Sequence, residues 1–155
     1  MRSARLIGAT ATAVVALGVM AAPAHAAPGL VDGSVTAIGA TCTWTDAVTS
    51  DVPPNTLTVD HTTINASCSG GVTVSISSSP TVTFDDAAGT ATSPSISVTG
   101  SGLGMTCGYS VSNVSINREG TTRTYSGGPY TATKTSGGFL CPGTATVDSA
   151  TFNFH

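Results

Sequence analysis

Apolar and polar residues alternate one by one along much of this chain, as they do in a β-strand that buries one face. The alternation is clear in five segments, at residues 72–77, 81–84, 95–98, 144–147 and 151–154. Clusters of Pro, Gly, Asn and Asp separate such segments and mark turns. Between the turns no stretch has the period of a helix. The pattern therefore predicts an all-β domain of about nine short strands.

The polar positions of these strands are mostly Thr and Ser, whereas Leu is scarce and Gln is absent. Threonine favours strands, and its hydroxyl tolerates solvent, so the composition indicates an antiparallel sheet with one wet face. Many short strands with frequent turns are typical of a β-sandwich, and closure into a β-barrel is the alternative. An edge strand rich in Thr and Val with few charges could also pair between copies, so self-association is a hypothesis.

The N-terminal segment has a different character from the rest of the chain. Two arginines in residues 1–5 precede an apolar run at 6–20, and Ala24-His25-Ala26 follows with the small-x-small pattern of a cleavage site. The apolar run is short for a membrane span and is followed by Pro23. We predict that residues 1–26 are a cleaved signal peptide and that 27–155 form one secreted domain, extracellular or at the cell surface.

Charge excludes one class of partner for the predicted domain. Its basic residues are only Arg118, Arg123 and Lys134, and they face eight acidic residues, which gives a net charge of −5. Such a surface repels phosphate backbones, so we expect no binding to nucleic acid. It also has no Lys/Arg cluster for anionic lipid, and no stretch after residue 26 is apolar enough to span a membrane.

The four cysteines Cys42, Cys68, Cys107 and Cys141 all lie in the predicted secreted part. An even number of cysteines in an exported domain predicts two disulfides, and four cysteines allow three pairings. Two likenesses favour one of them. The first and third cysteines are each followed two positions later by an aromatic residue, and the segments 68–74 and 141–147 also resemble each other. If the domain holds two related halves, Cys42 pairs with Cys68 and Cys107 with Cys141.

One aromatic pair is a candidate binding site. Tyr125 and Tyr130 flank the turn 126–129, and Arg123 lies beside them. The tyrosines form either a cross-strand pair in a hairpin or two exposed rings at a loop tip, as on many binding surfaces.

Residues for catalysis or metal binding are few. His61 is the one internal histidine of residues 27–155, so a Ser-His-Asp hydrolase would have to use it, yet no Gly-x-Ser-x-Gly elbow is present. Glu119 is the single glutamate, and the adjacent Asp85 and Asp86 precede Ala-Ala-Gly, which is typical of a turn and less so of a calcium site. We expect no catalytic residue, no metal site and no cofactor.

The chain resembles the small secreted four-cysteine β-proteins of actinobacteria. The likeness covers the whole chain and is compositional: an Ala-rich signal with arginines, the Ala27-Pro28-Gly29 start, Thr/Ser/Gly-rich strands and the late Cys141-Pro142-Gly143. The domain is also similar to the neocarzinostatin-type chromophore-carrying apoproteins in size and cysteine number, which implies a sandwich. That family closes short disulfide loops, whereas the favoured pairs here are 26 and 34 residues apart.

Three functions are compatible with these features. We expect a secreted, non-enzymatic protein that acts at or outside the cell envelope, by binding an unknown partner or as a surface component. A small-molecule carrier with a cleft between its sheets is the alternative, and a hydrolase that uses His61 comes third.

Overall fold

The computed structural model describes residues 28–155, so the predicted signal peptide at 1–26 lies outside the described residues. Eleven strands and one turn of 3₁₀ helix, His61–Thr63, form this part of the chain. The strands are β1 Gly29–Ala37, β2 Ala40–Thr49, β3 Leu57–Thr58, β4 Ser67–Cys68, β5 Thr73–Ile76, β6 Thr81–Asp85, β7 Thr90–Gly102, β8 Met105–Arg118, β9 Thr124–Gly127, β10 Tyr130–Ser136 and β11 Thr144–Phe154. No helix in 28–155 has the length and apolarity needed to cross a membrane.

All strands pair antiparallel in one sheet, in the order β3-β6-β7-β8-β10-β11-β1-β2-β4. The sheet bends around a single core, so that β3 at one end of this order meets β2, which is next to the other end. The Ser50 N–H donates to the Thr58 carbonyl (2.9 Å) and the Asp60 N–H to the Val48 carbonyl (2.8 Å). These bonds join β2 to β3. The predicted antiparallel all-β fold is thus confirmed, with eleven strands where about nine were expected.

Strands β9 and β10 act as one strand with a short interruption. Both lie between β8 and β11, and their pairings with each neighbour keep the same register on both sides of Gly128-Pro129. The interruption falls where proline has no N–H to donate. The turn predicted at 126–129 is therefore a break within a strand lane and does not reverse the chain.

Four neighbouring strands change the face they bury at one level of the sheet. Each strand has two adjacent exposed residues there. Before this pair every second residue faces the core, and after it the residues that face the core are shifted by one position. The pairs are 94–95 in β7, 112–113 in β8, 128–129 between β9 and β10, and 148–149 in β11. We call this level the switch line. It divides the four-strand region into two halves that both contribute to one core.

Aromatic rings fill the centre of the core. Phe84, Tyr125 and Phe154 meet edge to face, with ring centroids 5.1 to 5.9 Å apart. Trp44 packs against Phe152 with centroids 6.0 Å apart. Such pairs add about 0.5–1.5 kcal/mol each beyond the burial of their area.

The structure confirms the predicted disulfides, Cys42–Cys68 and Cys107–Cys141. The first joins directly paired residues of β2 and β4. The second ties the beginning of β8 to the connection between β10 and β11. Two intact disulfides and no free cysteine in the described residues are typical of a protein that folds in an oxidising compartment.

Candidate binding surface

Four connections lie together at one end of the sheet, because consecutive antiparallel strands reverse there. They are residues 38–39 between β1 and β2, 69–72 between β4 and β5, 103–104 between β7 and β8, and 137–143 between β10 and β11. The pairings at this end, such as Ala37 with Val147 and Gly102 with Met105, place the connections side by side. Both disulfides are here as well. We call this region the loop end.

Two hairpin tips of the loop end expose large apolar side chains. Ile38-Gly39 and Leu103-Gly104 are two-residue turns in which all four residues have positive φ, between 51° and 77°. This is the geometry of a type I′ turn, whose first position favours Asn, Asp or Gly. A branched apolar residue there is strained, yet Ile38 is 71% and Leu103 97% exposed. Neither the backbone nor the core benefits from these two side chains, which points to a use outside the fold.

The connection 137–143 between β10 and β11 adds two more apolar residues on a fixed loop. Phe139 is 93% and Leu140 61% exposed. The loop is held by the Cys107–Cys141 disulfide and by the Lys134 ammonium, which donates to the carbonyl of Cys141 at 3.2 Å. Its backbone is anchored while its apolar side chains face solvent.

Two open depressions of the described surface also lie at the loop end. One, of about 380 Å³, lies between Ile38, Pro142 and Asp148. The other, of about 240 Å³, lies between Met105, Phe139 and Leu140. Both depressions are open to solvent and lie between connections and strand ends at the surface. Neither is a cleft inside the fold of the kind that a small-molecule carrier would use.

The loop end carries no charge on its four connections, since residues 38–39, 69–72, 103–104 and 137–143 contain no Asp, Glu, Lys or Arg. Ionic contacts lie at the opposite end instead. There the Asp86 carboxylate accepts hydrogen bonds from both Nη atoms of Arg123, at 2.7 and 3.1 Å, and from Arg118 at 3.2 Å. The bonds from Arg123 hold the pKa of Asp86 below its ordinary value.

The structure does not bring Arg123, Tyr125 and Tyr130 together as an exposed surface. Tyr125 is fully buried among the core aromatics, so its ring is not presented at a loop tip. Tyr130 is half-buried and donates its hydroxyl to the Ser115 carbonyl at 2.7 Å, and burial raises its pKa. Arg123 forms a salt bridge with Asp86. The switch line is the physical reason. Tyr125 and Tyr130 are five positions apart and would face opposite sides of a regular strand, but the two exposed residues 128–129 between them turn both rings towards the core.

The residues considered for catalysis and calcium have other partners. His61 Nδ1 lies 2.9 Å from the Ser79 hydroxyl. The neighbouring Asp60 carboxylate accepts hydrogen bonds from the hydroxyl and the N–H of Thr62. These bonds hold the pKa of Asp60 below its ordinary value. Within residues 28–155 no carboxylate is hydrogen-bonded to this imidazole as in a hydrolase triad. Asp85 accepts from the N–H of Ala88 in the β6–β7 turn, which is the turn that the sequence predicts.

Sequence reasoning missed the loop end. A signal was present, because a large apolar residue before glycine at a hairpin tip, as in Ile38-Gly39 and Leu103-Gly104, departs from the usual Asn-Gly. No family model matches this chain, and neither a curated protein nor a solved structure does.

Proposed function

We propose that this chain is an exported, non-enzymatic binding protein whose loop end docks on the lipid surface of a cell envelope. The observation that carries the proposal is the placement of Ile38 and Leu103. Each is a large apolar residue held in solvent at a strained turn position, and both point from the same end of the fold.

The form of the loop end favours lipid over a small ligand or a protein groove. Ile38 and Leu103 stand on separate hairpin tips, and Phe139 and Leu140 lie on the connection 137–143, so a medium that buries them all has to close around each one. Acyl chains do this without a matching pocket. The absence of charge on the tips suits a zwitterionic surface, because no carboxylate has to be desolvated. The Cys107–Cys141 disulfide fixes the connection that carries Phe139 and Leu140, which lowers the entropy lost on docking.

The expected affinity is modest. Burial of an exposed Leu, Ile or Phe side chain is worth about 1.5–3 kcal/mol, so three of the four exposed apolar side chains of the loop end give roughly 5–9 kcal/mol. Association costs about 4 kcal/mol or more in lost motion. The remainder is at most about 5 kcal/mol, slightly below the roughly 5.5 kcal/mol of a single myristoyl chain, whose reversible binding has a constant of about 10⁴ M⁻¹.

Sedimentation with phosphatidylcholine vesicles tests the proposal, with the oxidised protein and the double variant I38N/L103N. Asparagine suits the type I′ position, so the variant should fold at least as stably as the parent. It should nevertheless lose at least about tenfold in vesicle binding, since roughly 1.4 kcal/mol corresponds to tenfold. The control is V52N, because Val52 is also exposed but follows β2 at the opposite end.

Four outcomes would overturn the proposal. The parent protein could fail to bind vesicles, or I38N/L103N could bind as well as the parent. Sedimentation velocity without lipid could also show a dimer that the double variant abolishes, in which case the loop end contacts a second copy. Equal loss in V52N and I38N/L103N would show that general surface hydrophobicity is responsible.

A further inference from the structure

Three metal-ligating side chains converge on the outer face of the sheet, away from the loop end. Asp32 lies on β1, Asp46 on β2, and His155 directly follows β11. One ligand atom of each lies within 4.8 Å of the other two. These strands are neighbours in the sheet, with β1 between β11 and β2.

Register explains the convergence. Phe154 pairs with Val31, and the backbone of His155 exchanges two hydrogen bonds with Leu30, at 2.7 and 2.9 Å. His155 is therefore diagonal to Asp32 across the strand pair, a position within reach of a long side chain.

A β-bulge supplies the third side chain. The pairing of β1 with β2 shifts between Val31 and Gly33, which leaves one extra residue on β2 opposite Asp32. Asp46 occupies this bulge with φ 55° and is exposed, whereas strict alternation would turn it inward between Trp44 and Ala47. Bulges commonly redirect a side chain in this way. The Asp46 N–H also donates to Asp32 Oδ1 at 2.9 Å and fixes the direction of that carboxylate.

The distances suit a small divalent ion. Ligand bonds of about 2.1 Å in a tetrahedral site place the ligand atoms roughly 3.4 Å apart. His155 Nε2 lies 3.4 Å from Asp32 Oδ1 and 3.9 Å from Asp46 Oδ1. Small rotations of exposed side chains close the remaining gap. The imidazole distinguishes this set from a cluster of surface acids, because a nitrogen among the ligands selects transition metals over calcium and magnesium.

From this geometry we infer that Asp32, Asp46 and His155 bind a zinc-class divalent ion, with solvent completing the coordination. The ion would link β11, β1 and β2 on their outer face. The inference is independent of the lipid-docking proposal, since the two sites share no residue.

Isothermal titration of the oxidised protein with ZnCl₂ tests this inference. We expect one ion per chain, with binding weakened at least tenfold in both H155Q and D32N. The matched control is H61Q, which removes the other histidine of the described residues and should leave zinc binding unchanged. Excess CaCl₂ should not displace the zinc.

An NMR titration keeps the test decisive if a variant folds poorly. In the parent protein ZnCl₂ should shift the imidazole resonances of His155 and leave those of His61 in place. Absence of zinc binding, equal affinity in H155Q, or shifts confined to His61 would overturn the inference. Displacement by calcium would overturn the zinc-class assignment, because it would indicate an oxygen-only site.

Discussion

Substitution of Gly33 by alanine should destabilise the protein through a single steric conflict. Gly33 is buried on β1 and pairs with Trp44 on β2 and with Phe152 on β11. A Cβ atom built on Gly33 overlaps the six-membered ring of the Trp44 indole. The φ of Gly33 is outside the left-handed region, so an alanine there has no backbone strain and the cost is one of packing.

The magnitude can be worked from these contacts. Forcing an extra methyl into a filled core costs about 1–3 kcal/mol, and displacing the indole also weakens its contact with Phe152, worth about 0.5–1.5 kcal/mol. The loss of glycine entropy in the unfolded chain offsets about 0.4–1 kcal/mol. The net expectation is a loss of about 0.5–4 kcal/mol, centred near 2 kcal/mol, or a fall in Tm on the order of 10 °C for a domain of this size.

Guanidinium unfolding followed by fluorescence measures this directly, because Trp44 is the single tryptophan of the chain. The control is G100A on β7, where an added Cβ meets no atom within 4 Å and stability should hold or rise slightly. A double-mutant cycle with W44L, followed by circular dichroism, isolates the contact. The reasoning is refuted if G33A is as stable as the parent, or if it costs as much with W44L as without it.

The remaining predictions concern the second disulfide, an ion pair and a buried ring. The double variant C107S/C141S should lose about 3–4 kcal/mol in the free energy of unfolding, as the chain-entropy model gives for a loop of this length, measured by urea denaturation. Arg123 lowers the pKa of Asp86, so this carboxylate stabilises the fold above the ordinary pKa of aspartate, and the stabilisation is lost as pH falls through the lowered value. The difference in unfolding free energy between the parent and D86N should therefore close in acid. A difference that does not depend on pH would contradict the mechanism. Tyr125 is fully buried, so Y125A should cost about 3–5 kcal/mol in a thermal melt, whereas Y125F should cost much less because its ring remains.

The sequence was sufficient for the fold class and favoured the disulfide pairing that the structure shows, because alternation and the residues around each cysteine are local patterns. It was insufficient for strand boundaries wherever the switch line crosses. Residues 144–147 and 151–154 alternate separately, and they belong to one strand whose alternation is broken at 148–149. The placement of Tyr125 stayed open for a related reason, since the direction of its side chain depends on the neighbouring strands and not on its own segment.

The candidate sites lay beyond local patterns for two different reasons. An apolar residue such as Leu103 has the same signature in a sequence whether it is buried or exposed, and only the assembled hairpins show that its side chain contacts nothing. Asp32, Asp46 and His155 are far apart in sequence, and a bulge determines their meeting. Register shifts of this kind depend on how whole strands pair.

The two-residue turns of the loop end are also the places where this fold tolerates a change in length. One residue inserted within a strand would exchange inward and outward positions as far as the next end of that strand, and so would turn core residues to solvent. An insertion at 38–39 or 103–104 leaves every strand in phase. The turns of the loop end are thus the places where new peptide segments could be grafted onto the frame, in the way that immunoglobulin domains vary their binding loops.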